Sequence, residues 1–98
     1  MAKKTKNWRI KVEQYDHGDL YELITTTTYY VYHKSSEKPV YVFKGETEAE
    51  LGEGLWESTG ASGVQNVELF EDEGYLLVTY YGRKKSQKFP LEVPQKDE

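Results

Sequence analysis

From Trp8 the chain alternates apolar and charged residues without a break. Trp8, Ile10 and Val12 lie on one side of an extended backbone, and Arg9, Lys11 and Glu13 on the other. Period-two alternation of this kind predicts a half-buried strand with one wet face. The stretch Asp16-His17-Gly18-Asp19 then reads as a turn, because Gly tolerates positive φ and Asp caps nearby backbone amides. The next strand, about Leu20 to His33, is expected to pair back on the first as a hairpin.

This second strand contains Thr25-Thr26-Thr27-Thr28-Tyr29-Tyr30-Val31-Tyr32, in which every residue is β-branched or aromatic. Such side chains lose rotamer freedom in a helix and fit a pleated surface. Apolar groups fall on both faces: Leu20, Ile24, Tyr30 and Tyr32 on one, Tyr21, Leu23, Tyr29 and Val31 on the other. Two arrangements fit. The strand is central and covered on both sides at different points, or it bends at a bulge and its inward face switches midway. The bend is the expected arrangement, near Thr26 to Thr28.

After a turn at Ser35 to Pro39, Val40 to Lys44 predicts a short third strand. Gly45 to Gly63 holds five Gly and five Glu in nineteen residues and reads as a loop insertion. Thr47-Glu48-Ala49-Glu50 matches a helix capping box, and Leu51, Leu55 and Trp56 could form one apolar stripe. Gly52 and Gly54 each oppose a helix by roughly 1 kcal/mol, so at most one short helical turn is expected at 46–57. Val67 to Leu69 alternates again. Glu71-Asp72-Glu73-Gly74 predicts a hairpin turn, Tyr75 to Tyr81 a strong strand, and Gly82 to Ser86 another turn. Phe89, Leu91 and Val93 alternate with Lys88, Pro90 and Glu92. Pro90 cannot donate to a ladder, which makes the last strand an edge. The fold class is therefore all-β: an antiparallel meander of about six strands forming a barrel or a strongly curved sheet, with a two-sheet sandwich as the alternative. Polar tails are expected at 1–6 and 95–98, around a single domain at 7–94.

Composition narrows the chemistry. The 98 residues suit one domain, and with 37% hydrophobic and 14% aromatic residues its core rests on a few large side chains. Nine residues are Tyr, which buries its ring while its hydroxyl stays wet. The absence of Cys excludes disulfides, thiolate metal sites and a Cys nucleophile. No apolar run of signal-peptide length follows the first residues and none approaches the ~18–20 residues of a membrane span, so a cytoplasmic protein off the membrane is expected.

The net charge of −4 is laid out in blocks. Lys3, Lys4, Lys6, Arg9 and Lys11 make the start basic. Glu46, Glu48, Glu50, Glu53 and Glu57 form an acidic stretch without a cation, Glu68, Glu71, Asp72 and Glu73 add to it, and Arg83, Lys84, Lys85 and Lys88 are basic again. Such blocks read as solvated surface, or as two poles that orient a charged partner.

No motif names an activity. His17 lies between Asp16 and Asp19, but a turn uses Asp for backbone reasons alone, and His33, at a strand end beside Lys34, is expected at the surface. Gly52-Glu53-Gly54 fails as a phosphate loop, because Glu57 stands where a third Gly is needed and the glutamates repel phosphate. No G-x-S-x-G motif is present, and a glutamate-rich loop reads as solubilising before it reads as paired catalytic carboxylates. The expectation is a non-enzymatic module with no cofactor or metal, which binds another protein through the 46–57 segment. Leu55 and Trp56 are its anchors, and Glu50, Glu53 and Glu57 steer a basic partner. The alternative is single-stranded nucleic-acid binding through Tyr81, Arg83, Lys84, Lys85 and Lys88, aromatic and basic groups side by side. A pI near 5.2 counts against it. A third reading is an acidic decoy that occupies a nucleic-acid-binding protein.

Overall fold

The computed structural model describes residues 7–93. Six strands follow one another: β1 (Trp8–Gly18), β2 (Glu22–His33), β3 (Tyr41–Gly52), β4 (Leu55–Phe70), β5 (Tyr75–Tyr80) and β6 (Gln87–Pro90). Each pairs antiparallel with the next, in the order β1-β2-β3-β4-β5-β6, and no helix occurs among the described residues. The all-β meander of six strands is as expected. The barrel is not formed, because β1 and β6 remain the two ends of an open sheet. The tails expected at 1–6 and 95–98 lie outside the described residues.

The change of direction sits in β4 rather than in β2. β2 keeps an unbroken register with β1 and with β3. β4 pairs with β3 over its first half and with β5 over its second, and each ladder skips one residue of it, Thr59 and Gln65. Extra residues of this kind kink a strand and sharpen its twist. Between them Gly63 has φ +76° and stands opposite Gly45, where an added Cβ would overlap the Val64 carbonyl oxygen. Two backbones cross here with no room for a side chain.

The bend lays the second half of β4, with β5 and β6, over one face of the first three strands. We call this the inner face. Val31, Val64, Val67, Leu76 and Val78 fill the space between the layers, and Trp8 closes it with only 6% of its surface exposed. Phe43 meets Phe89 at 5.2 Å between ring centroids, and the Tyr41 hydroxyl donates to the Pro90 carbonyl at 2.6 Å. The Tyr29 hydroxyl donates to the Gln65 carbonyl at 3.0 Å. Apolar residues on both faces of β2 therefore reflect its central position: Val31 and Tyr29 face the core, while Tyr30 and Tyr32 pack on the outer face at 6.4 Å.

The second layer covers only one end. Residues 11–18 of β1 are exposed throughout, and so are residues 55–63 of β4 apart from a half-buried Gly60. This half of the first four strands projects as a single-layer sheet. The molecule measures 56 × 29 × 26 Å, and its radius of gyration is 16.6 Å; a compact chain of this length has about 13 Å.

Three local expectations are corrected. Residues 45–63 are not a loop insertion but the end of β3 and the first half of β4, joined by the two-residue turn Glu53-Gly54. Both turn residues have positive φ, 51° and 83°, as the tight hairpin turn that matches strand twist requires. The first turn lies later than 16–19: Gly18 ends β1, and Asp19 Oδ1 accepts the amides of Tyr21 and Glu22 at 2.8 and 2.9 Å. His33, expected at the surface, is buried against Trp8.

Candidate functional site

The projecting sheet carries the residues singled out at 46–57, and the register sorts them by face. Residues directly opposite in an antiparallel pair share a face, and neighbours along a strand point to opposite ones. Leu51 faces Trp56, and Leu23 faces Ala49. The Leu51 amide donates to the Tyr21 carbonyl at 2.8 Å, so Tyr21 continues the pairing. Tyr21, Leu23, Leu51 and Trp56 thus form an apolar cluster at the tip of the inner face, beyond the reach of the covering layer. Tyr21 and Trp56 are 68% and 49% exposed.

Leu55 is 70% exposed and lies on the outer face. It and Trp56 therefore do not form one anchor but flank the tip from opposite sides. Glu53 sits in the turn between β3 and β4.

Glu50 and Glu57 are direct cross-strand neighbours, and Glu22 faces Glu50 from β2. Three carboxylates stand in a row across three strands of the outer face. Glu46 and Glu48 lie on the same face of β3. Like charges directly opposite destabilise a sheet. The other half of the outer face is basic and aromatic. Arg9 stacks over the Tyr32 ring at 4.5 Å, Lys11 pairs with Glu13 at 3.2 Å, and Lys44 is exposed beside them on β3. A hydrogen bond to Glu13 holds the Tyr30 phenol above its ordinary pKa, helped by burial. Burial raises the phenols of Tyr29 and Tyr41 as well, with further contributions from Tyr81 and Glu92 respectively.

The alternative site is only partly assembled. Arg83, Lys84 and Lys85 lie on the turn between β5 and β6, and Lys88 on β6. Arg83 stacks over Tyr80 at 5.1 Å and Lys88 over Tyr75 at 4.6 Å, so the rings nearest these cations are already capped. Tyr81 is half-buried and close enough to Tyr29 to raise its phenol. His17 stacks on Tyr15 at 5.3 Å and meets Thr26 Oγ1 at 3.4 Å. Asp16 points to the other face and Asp19 caps the turn. Among the described residues no three His, Cys, Asp or Glu side chains are grouped to hold a metal ion.

Sequence reasoning missed Glu22, Tyr21 and Leu23 as members of the tip. The Glu53-Gly54 pair, flanked by Leu51 and Trp56, was the signal for a hairpin that would have brought them in. No protein family matches the chain, and neither a curated protein nor a solved structure is similar to it.

Proposed function

We propose that this is a non-enzymatic protein-binding module whose contact surface is the tip of the projecting sheet. One observation carries the reading: large apolar side chains are held away from the core, on a sheet that no other described part of the chain covers. Contiguous exposed apolar surface of this kind is uncommon on a monomer unless it is used. Because Trp56 and Leu55 flank the tip on opposite faces, the partner grips both sides in a cleft. The glutamate row on the outer face favours a basic partner and speeds its approach. A basic protein that itself binds nucleic acid is the narrower version of this reading, with carboxylates taking the place of phosphates. A catalytic role for the carboxylates has little support, since they lie on an open face where water surrounds them.

The test is photo-crosslinking in the source cells, with a photoreactive side chain placed in turn at positions 55, 56 and 84. One basic protein captured from both 55 and 56, and lost on Glu50→Lys with Glu57→Lys, supports the reading. Nucleic acid captured from position 84, with nothing at 55 or 56, replaces it with the nucleic-acid alternative.

A further inference from the structure

Among the described residues no strand pairs with the outer edge of β1, and the hydrogen-bonding phase of that edge follows from its ladder with β2. At the two ends of the β1–β2 ladder, the Lys34 amide donates to the Asn7 carbonyl at 2.8 Å and the Asp19 amide to the Glu22 carbonyl at 2.9 Å. The register between these ends has no shift. Bonded pairs recur every second residue in an antiparallel ladder, so the odd-numbered residues of β1 bond to β2. The amides and carbonyls of Ile10, Val12 and Gln14 therefore point away from β2. The other edges are blunted: β6 is four residues long and contains Pro90, and the outer edge of β4 is interrupted at Thr59. β1 has eleven residues and neither proline nor bulge. Long unprotected edges are templates for pairing.

We propose that β1 pairs antiparallel with β1 of a second copy, about a two-fold axis through Val12. The side-chain pattern of the strand is self-complementary in this register. Val12 faces the second copy's Val12. Lys11 faces its Glu13, Glu13 its Lys11, and Arg9 its Tyr15. Apart from the Val12 pair on the axis, each contact occurs twice, as an isologous interface requires. Tyr15 is 68% exposed and Arg9 already lies over one tyrosine ring, Tyr32, so a second ring sandwiches the guanidinium. The outward groups of Ile10, Val12 and Gln14 bond to those of Gln14, Val12 and Ile10.

Neighbouring registers are worse. An axis through Lys11 or Glu13 sets that charge against its own copy. An axis through Ile10 places Lys11 against Arg9, and one through Gln14 loses both charge pairs. The β1 pattern thus selects one register as well as permitting pairing. The projecting single-layer sheets of the two copies become continuous, and the exposed backbone of β1 gains partners.

Sedimentation equilibrium of the full chain, Lys11→Glu, Glu13→Lys and the double exchange tests this. Both side chains are more than half exposed, and far-ultraviolet circular dichroism checks that each variant folds. The wild type is expected to dimerise. Each single variant sets like charges together twice and weakens the dimer about tenfold or more, equivalent to about 1.4 kcal/mol. An equimolar mixture of the two single variants restores a dimer, because every Glu then faces a Lys, and the double exchange restores it in one chain. A wild type that stays monomeric at about millimolar concentration overturns the proposal. So does a dimer indifferent to these charges, or single variants that fail to recover on mixing.

Discussion

Trp8 and His33 stand directly opposite each other on β1 and β2, with their rings edge-on at 4.9 Å and an interplanar angle of 69°. Each is 6% exposed. The imidazole Nδ1 accepts the Ser35 amide at 3.1 Å and lies 2.7 Å from Ser35 Oγ, so the pair also fixes the chain where it leaves β2. Removing the indole leaves a cavity beside Val31 and exposes the covered end of the core. Trp8→Ala is expected to cost about 3–5 kcal/mol, measured by urea unfolding with circular dichroism.

Trp56 has the opposite character. It projects from a single-layer tip, and Trp56→Ala should change stability by no more than about 0.5–1 kcal/mol. In the wild type, acrylamide should quench one indole readily and the other poorly. The accessible component should vanish in the Trp56 variant.

The crossing of Gly45 and Gly63 sets the layer geometry. Gly45→Ala drives a methyl into the Val64 carbonyl, and Gly63→Ala adds strain at φ +76° and a clash with the Lys44 carbonyl. Each is expected to destabilise by more than the ~1 kcal/mol typical of a point substitution. Gly52→Ala is the control, since nothing lies within 4 Å of an added Cβ there. Thermal melting of the three variants should separate the first two from the third.

Stability along the sheet should be uneven. Hydrogen–deuterium exchange is expected to show greatest protection at Val31, Val64, Val67, Leu76 and Val78, which are buried between the layers. The paired amides of 46–51 and 56–62 should exchange through local opening at a lower free energy. Equal protection across the molecule would contradict the single-layer description.

Alkaline pH should unfold the protein. Tyr29, Tyr30 and Tyr41 all have phenols raised above the ordinary value, about 10. The unfolded chain gives up these protons first, so their contribution is complete below about pH 10 and is lost as pH rises through the folded values. Tyrosinate absorbance near 295 nm should lag behind a free-tyrosine titration until unfolding. Tyr41→Phe should reduce that lag, because Tyr41 loses both burial and its bond to Pro90 on ionising.

Much of the fold was legible in local residue chemistry. The run from Thr25 to Tyr32 fixed β2, the alternation from Trp8 to Glu13 fixed the start of β1, and Glu71 to Gly74 marked its turn by composition. Pro90 identified the last strand as an edge. The candidate site is legible there only as a set of residues, Leu55, Trp56 and the glutamates, because local sequence does not carry the strand register that sorts them onto two faces. Residues 45–63 look like a loop in sequence because Gly and Glu have low strand propensity, and only pairing with β2 and β3 overrides that preference.

Side-chain shape and backbone preference act over a few residues, so they set the antiparallel strands, where most of them turn, and which charges each carries. The folded arrangement decides that β4 bends at Gly63, that its second half covers one end of the sheet and not the other, and that the outward groups of β1 stay unpaired among the described residues. Those outcomes depend on contacts between residues far apart in sequence, where the close crossing at Gly45 and the burial of Val31 against Leu76 set the arrangement.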